Sequence, residues 1–81
     1  MEMNDIDRDV VREVIRELSV RGEFRTKDVS THPKMVVAHS AYLKASHYHA
    51  VVGKVISQES ALLSLRQGRR NDRGTLWTRV G

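Results

Sequence analysis

Residues 65–80 read Leu-Arg-Gln-Gly-Arg-Arg-Asn-Asp-Arg-Gly-Thr-Leu-Trp-Thr-Arg-Val. The end of this stretch, 75–80, is rich in β-branched and aromatic residues, which favour strands. Turn-forming residues precede it: Gly68, Asn71, Asp72 and Gly74. We therefore predict a β-hairpin whose connection runs over 68–74. That connection would carry three arginines: Arg69, Arg70 and Arg73.

The segment before the hairpin has the apolar spacing of a helix. One broad arc of its helical wheel, at about 100° per residue, holds Tyr48, Val51, Val52, Val55 and Ile56. The opposite arc is small and polar, with Ala50, Gly53, Lys54 and Ser57. Ser46 is a candidate N-cap, so we predict a helix over 46–59. The β-branched content of 51–56 leaves a strand as the competing interpretation.

The amino-terminal part predicts a second amphipathic helix. Its apolar residues recur at three- and four-residue spacings: Ile6, Val10, Val11, Val14, Ile15 and Leu18. Asn4 and Asp5 are candidate N-caps, and Gly22 is the predicted stop. On the polar side we expect surface pairs between Asp9 and Arg12 and between Glu13 and Arg16. This helix is interpreted mainly as scaffold.

Between these helices, Glu23-Phe24-Arg25 leads into Thr26, a candidate N-cap for a helix beginning at Lys27. We predict a short pairing segment that leads into this helix. The helix that follows is interrupted at His32-Pro33 and restarts at Pro33, since proline is tolerated in a first turn. It ends near residue 39 or 40.

Length and composition limit the class of protein. The chain has 81 residues and no cysteine, which predicts one domain over 1–81, with 1–4 disordered and no disulfide or thiolate metal site. The acidic start is unlike a secretory signal, and no apolar run approaches the roughly 18 residues of a membrane span. We expect a cytoplasmic protein with no membrane partner, associated with the nucleoid in a bacterium or archaeon, or with the host cytoplasm if viral.

Charge is distributed unevenly along the chain, whose formal net charge is +4. Residues 1–30 hold eight acidic and six basic side chains, whereas 31–81 hold two acidic and eight basic ones. Such a basic half favours a polyanionic partner. The hairpin supplies arginine and no lysine, and the planar guanidinium suits phosphate and guanine edges.

The order helix, short strand, helix, helix and hairpin resembles the winged helix-turn-helix superfamily over residues 5–80. Three stretches carry the likeness: 22–29 resembles the first strand entering the second helix, with Phe24 facing the core, 46–59 the recognition helix and 65–78 the wing. The resemblance implies an α+β winged-helix domain, a three-helix bundle with a short first strand and a carboxy-terminal wing. The 16 residues that separate Ser30 from Ser46 depart from the short turn of a compact helix-turn-helix. An extended second helix or an inserted loop must fill that space.

From this resemblance we expect a small DNA-binding protein, a transcriptional regulator or a packaging or recombination accessory. Its third helix would enter the major groove of double-stranded DNA, and its wing would contact the backbone or minor groove. The residues expected at DNA are His47, His49, Ala50, Gly53, Lys54, Ser57, Gln58, Arg66, Arg69, Arg70 and Arg73. A homodimer is left open.

Other function classes find less support in the sequence. A protein-binding winged helix and an RNA- or single-strand-binding module are the alternatives. His47 and His49 would lie about 200° apart on a helix, so they cannot share a metal ion, and we expect no metal site. No catalytic constellation is found, so we expect neither an enzyme nor a cofactor or small-molecule substrate. Trp77 and Tyr48 are assigned to the core rather than to base stacking.

Overall fold

The computed structural model describes residues 2–45 and 47–80. These residues form an α+β domain of helices and one antiparallel sheet. The elements are α1 (Arg8–Ser19), β1 (Glu23–Arg25), α2 (Thr26–Ser30), α3 (Pro33–Ala38), α4 (Tyr48–Glu59), β2 (Leu65–Asn71) and β3 (Gly74–Arg79). Short 3₁₀ turns lie at Met3–Asp5, which overlaps the residues 1–4 expected to be disordered, and at Ser40–Tyr42. Among the described residues, no helix has the length and apolar character needed to cross a membrane.

The helix predicted near the amino terminus is α1, but its cap is neither Asn4 nor Asp5. The Asp7 carboxylate accepts hydrogen bonds from the backbone N–H groups of Asp9 and Val10, at 3.1 and 3.3 Å. With Asp7 as the cap, Ile6 precedes the helix and is buried. The burial of Ile6 thus moves the helix start beyond the predicted caps, because an apolar residue before the cap packs on the first turns.

The region predicted as one interrupted helix forms two short ones, α2 and α3, so the described residues contain four α-helices rather than the expected three. Pro33 is the first residue of α3, as predicted, and His32 Nδ1 accepts a hydrogen bond from the Lys34 N–H at 3.1 Å. Thr26 is not the cap of α2, as predicted, but its first residue. Arg25 takes the cap position, and its N–H donates to the Asp28 carboxylate at 2.8 Å. Together, α3 and the following 3₁₀ turn occupy much of the long segment before α4.

The competing interpretations of 46–59 are resolved in favour of a helix. α4 begins at Tyr48, and the predicted cap Ser46 lies outside the described residues. All five residues of the predicted core arc are at most 7% exposed: Tyr48, Val51, Val52, Val55 and Ile56. The opposite arc is exposed, except for Gly53, which is half-buried. The apolar spacing therefore predicted both the element and its orientation correctly.

The predicted hairpin is present, but its connection is shorter than 68–74. β2 continues to Asn71, and only Asp72 and Arg73 link it to β3. Gly68 lies inside β2, where the register with β3 shifts between Gln67 and Arg70. A β-bulge accommodates one extra residue there, which is why a glycine in this stretch does not mark a turn.

β1 joins the hairpin in one antiparallel sheet of order β1-β3-β2. The predicted pairing strand is therefore confirmed, with Phe24 opposite Trp77 and both side chains buried. Tyr48 is buried too, as expected, and its hydroxyl donates to the Ser30 carbonyl at 3.1 Å. His39 is 1% exposed, accepting from the Asp7 N–H at Nε2 (2.9 Å) and bonding the Met35 carbonyl through Nδ1 (3.0 Å). These bonds tie the start of α1 to α3.

Candidate nucleic-acid interface

A cleft of about 530 Å³ lies between the exposed arc of α4 and the hairpin. The start of α2 closes its inner end with Thr26 and Lys27. From α4 come His49, Ala50, Gly53, Lys54 and Ser57. From the hairpin come Gln67, Arg70, Asn71, Asp72, Arg73, Gly74, Thr75 and Trp77. Two distant parts of the sequence thus contribute one concave surface.

Thr26 holds the floor of the cleft together. Its hydroxyl accepts a hydrogen bond from the buried Trp77 Nε1–H at 3.0 Å. A Cβ atom at Gly53 would lie 3.4 Å from Thr26 Cγ2, which is ordinary van der Waals contact. A Cβ at Gly74 would lie 2.9 Å from Thr26 Cβ, and Gly74 has φ +96°, so this position of the turn requires glycine. Thr26 therefore sets the distance between α4 and the hairpin.

Four further contacts fasten the hairpin to α2 and β1. The Lys27 N–H donates to the Arg73 carbonyl at 3.0 Å. The Arg25 guanidinium donates to the carbonyls of Arg69 and Gly74, at 3.2 and 3.1 Å. The Arg73 guanidinium pairs with the Asp28 carboxylate. The width of the cleft is thus fixed by bonds from both strands of the hairpin.

The bulge in β2 decides which arginine faces the cleft. Trp77 points inward, and its cross-strand partner Gln67 lies on the same face. Arg70 is opposite Thr75, which shares the face of Trp77 because side chains alternate along a strand. Without the extra residue, Arg69 would share the face of Gln67, since a one-residue slip exchanges the two faces. The bulge therefore directs Arg70 into the cleft and Arg69 away from it.

The cleft is strongly basic. Its lining includes four cationic side chains and one carboxylate: Lys27, Lys54, Arg70, Arg73 and Asp72. Within residues 2–45 and 47–80, Lys27, Lys54 and Arg70 form no ion pair with a carboxylate. Three side chains that can donate to an anion are thus gathered on one surface, a typical electrostatic footprint for phosphate.

Asp28 lies at the edge of this surface and moderates its charge. Its partial burial would raise the pKa, but the Arg25 N–H and the Arg73 guanidinium hold the pKa of Asp28 below its ordinary value. The carboxylate is therefore ionised at neutral pH and neutralises Arg73. Arg73 consequently has less charge to offer an external anion than Arg70.

His49 is held by a neighbour in α2. Its Nδ1 shares a hydrogen bond with Ser30 Oγ. Its Nε2 forms no hydrogen bond to the rest of the described chain, although the residue lines the cleft. This arrangement leaves one ring nitrogen for a ligand in the cleft.

The structure brings together seven of the eleven residues expected at DNA: His49, Ala50, Gly53, Lys54, Ser57, Arg70 and Arg73. His47 is exposed at the start of α4, outside the cleft lining. Gln58 accepts a hydrogen bond from Arg8 of α1 at 2.6 Å. Arg66 and Arg69 are exposed but do not line the cleft.

Sequence reasoning missed several lining residues, chiefly Lys27, Gln67 and Thr75. Gln67 and Thr75 were overlooked because the hairpin turn was placed over 68–74, and the strand alternation was not followed through it. Lys27 reaches the cleft because the hairpin turn rests on the start of α2. No spacing in the sequence marks that long-range contact.

Comparison of the chain with protein-family models, with curated proteins and with solved structures finds no match. The function must therefore be argued from the cleft and its charges.

Proposed function

We propose that this chain binds double-stranded DNA through the basic cleft between α4 and the hairpin. The observation that carries the proposal is the convergence of Lys27, Lys54 and Arg70, without carboxylate partners in the described chain, on one concave surface. Each phosphate neutralised by such a side chain releases condensed counterions, which is the main source of affinity for duplex DNA.

The order of elements supports a winged-helix module. A helix, a short strand, further helices and a hairpin follow one another, and the short strand joins the hairpin in one sheet. In this interpretation α4 is the recognition helix and β2–β3 is the wing. The separate helix α3 is an addition to the three-helix pattern. The biological role proposed for the module is transcriptional regulation.

The exposed arc of α4, opposite its core arc, is suited to a close approach by DNA. Ala50, Gly53 and Ser57 are small, and Lys54 and His49 flank them with groups that can contact phosphates or base edges. The major groove of B-DNA is about 12 Å wide and admits one helix. The hairpin would then follow the backbone beside that groove, with Arg70 facing it.

The first experiment measures binding of mixed-sequence duplex DNA by fluorescence anisotropy at about 50 and 200 mM salt. The proposal predicts binding at the lower salt that weakens steeply at the higher one. Competition by equal concentrations of double-stranded RNA and single-stranded DNA tests the nucleic-acid alternatives. Absence of binding to all three at low salt would favour a protein partner instead.

The second experiment uses Gly53, whose added Cβ fits in contact with Thr26. Gly53→Glu should nearly abolish duplex binding, because the side chain extends into the cleft and sets a negative charge against phosphate. Gly53→Gln and Gly53→Ala are the matched controls, the first for shape and the second for helix propensity, which rises by up to about 1 kcal/mol. A folded Gly53→Glu variant with parental affinity would remove the cleft from the interface.

A further inference from the structure

The sheet has a second basic surface on the side opposite the cleft. Thr78 lies between Glu23 and Arg66 in the register of the three strands, and Leu76 lies opposite Arg25. These positions alternate with the inward-facing Phe24 and Trp77, so their side chains belong to the outer face. We call this surface, formed by Glu23, Arg25, Arg66, Arg69, Leu76 and Thr78, the outer face.

Arg69 joins the outer face through the bulge. Gly68 and Arg69 together oppose Leu76, because the register shifts by one residue between Gln67 and Arg70. A Cβ on Gly68 would lie 3.2 Å from Leu76 Cβ, which places this part of the bulge on the same side as Leu76. The bulge thus divides the consecutive arginines of the hairpin between two surfaces, Arg70 in the cleft and Arg69 outside it.

The charge of the outer face is complementary to a phosphate backbone. Three arginines stand against one carboxylate, Glu23. Arg66 and Arg69 are exposed and form no ion pair within residues 2–45 and 47–80. Arg66 lies opposite Thr78 and Arg69 opposite Leu76, so two residues of strand, about 7 Å, separate the two arginines. Arg66 and Arg69 can therefore contact phosphates of one backbone.

The outer face and the cleft point in opposite directions across a single layer of strands. A straight duplex seated between α4 and the hairpin lies on one side of that layer. The arginines of the outer face are directed away from it, so they remain available to a second polyanion.

We propose that the outer face binds the phosphate backbone of a second duplex, so that one copy of the chain bridges two DNA segments. This inference rests on the proposed function of the cleft. It adds a second, independent binding site to a module that would otherwise hold one duplex.

The experiment uses one duplex attached to beads and a second, labelled duplex in solution. Retention of the label by added protein measures bridging, and anisotropy with a trace of one labelled duplex measures the tighter of the two sites, which we assign to the cleft. The test variant is Arg66→Gln/Arg69→Gln. The matched control is Arg16→Gln/Lys44→Gln, which removes the same charge from exposed positions elsewhere.

The test variant should retain single-duplex affinity within about 3-fold and an unchanged salt slope, but bridge at least about 10-fold less label. The control should bridge like the parent protein. Undiminished bridging by the test variant would overturn the inference, since a dimer with two clefts would then explain it. A fall in the single-duplex salt slope of about 1.8 would also overturn it, because both arginines would then contact the first duplex.

The two proposals fail in different ways. No binding of a single duplex by the parent protein would overturn both. Binding of a single duplex without retention of the label would overturn only the bridging inference.

Discussion

The polar side of α1 and the cleft beside α4 are both rich in charge, but the charges are arranged differently. On α1, Arg8 and Arg12 bind the buried carboxylate of Glu59 at the end of α4, at 3.0 to 3.1 Å. Glu13 and Glu17 bind Lys34 of α3 at 2.7 and 3.1 Å. In the cleft, Lys27, Lys54 and Arg70 form no ion pair in the described chain. The first surface uses these charges to join helices, whereas the three cations of the cleft have no carboxylate partner among the described residues.

The comparison shows why net charge is a poor guide to function. The formal excess of +4 is a sum over the whole chain, whereas binding depends on the cations that have no internal partner. Ion pairs on an exposed surface contribute little, about 0–1 kcal/mol. Glu59 differs from these because it is 4% exposed and serves two guanidinium groups.

The largest effect is expected at Glu59. Glu59→Ala removes the acceptor of charged hydrogen bonds from Arg8 and Arg12, so unfolding should become easier by about 2–3 kcal/mol. Duplex affinity of the folded protein should not fall, since the cleft keeps its cations. Urea denaturation and anisotropy measure the two quantities. Asp9→Ala is the control, because its carboxylate is 91% exposed, and its effect on stability should be much smaller. Equal losses for both variants would contradict the distinction.

A somewhat smaller effect is expected at the floor of the cleft. Thr26→Val keeps the shape of the side chain but leaves the buried Trp77 Nε1–H without its acceptor, which costs about 1–2 kcal/mol. Thr26→Ser retains the hydroxyl and serves as the control. Thermal unfolding followed by Trp77 fluorescence measures both. If the valine variant is as stable as the serine variant, Thr26 does not hold the hairpin as described.

Acid should reduce the stability that the ion pairs of α1 contribute to the fold. Hydrogen bonds and charge from Arg12 and Arg8 hold the pKa of Glu59 below its ordinary value. Bonds from Lys34 and His32 do the same for the pKa of Glu17. A carboxylate with a lowered pKa stabilises the fold fully above its unfolded pKa, about 4.3 for glutamate. That stability is lost as pH falls through the folded pKa.

Melting temperatures from pH 7 to pH 3 test this expectation. The parent protein should lose stability below about pH 4.3, and Glu59→Gln should lose less over the same range because it has no proton to take up at this position. Parallel pH profiles for the two proteins would show that the Glu59 pairs do not contribute.

The smallest effect separates two arginines of the hairpin. Arg70→Gln should reduce the slope of log K against log salt by about 0.9, the value for one phosphate contact. Arg73→Gln should reduce it less, because Asp28 already pairs with this guanidinium. Salt titrations by anisotropy compare the two variants. A larger reduction for Arg73 would mean that DNA displaces Asp28.

Much of the fold could be predicted from the sequence because it follows from local periodicity. The apolar arcs of α1 and α4 and the β-branched residues of β3 identified their elements. The cap of α1 was misplaced because burial of Ile6 decides it. The predicted ion pair between Glu13 and Arg16 was wrong for a similar reason. Among the described residues Glu13 pairs with Lys34 of α3 instead, and the sequence did not predict where α3 packs against α1.

The candidate site could be predicted only in part. The helical wheel of α4 predicted which of its residues lie outside the core arc, and five of them line the cleft together: His49, Ala50, Gly53, Lys54 and Ser57. The hairpin arginines were treated as one group because the bulge that separates Arg69 from Arg70 has no mark in the sequence beyond Gly68. Lys27 lines the cleft because its backbone N–H donates a hydrogen bond to the Arg73 carbonyl of the hairpin turn, a contact that the sequence does not predict.

The most direct test of the account compares salt slopes for duplex binding by the parent protein and by Lys54→Gln/Arg70→Gln, with Arg16→Gln/Lys44→Gln as the charge-matched control. We predict that the cleft variant loses about 1.8 from the magnitude of the slope, two phosphate contacts at about 0.9 each, while the control keeps the parent slope. A cleft variant that retains the parent slope and affinity would contradict the claim that Lys54 and Arg70 bind DNA.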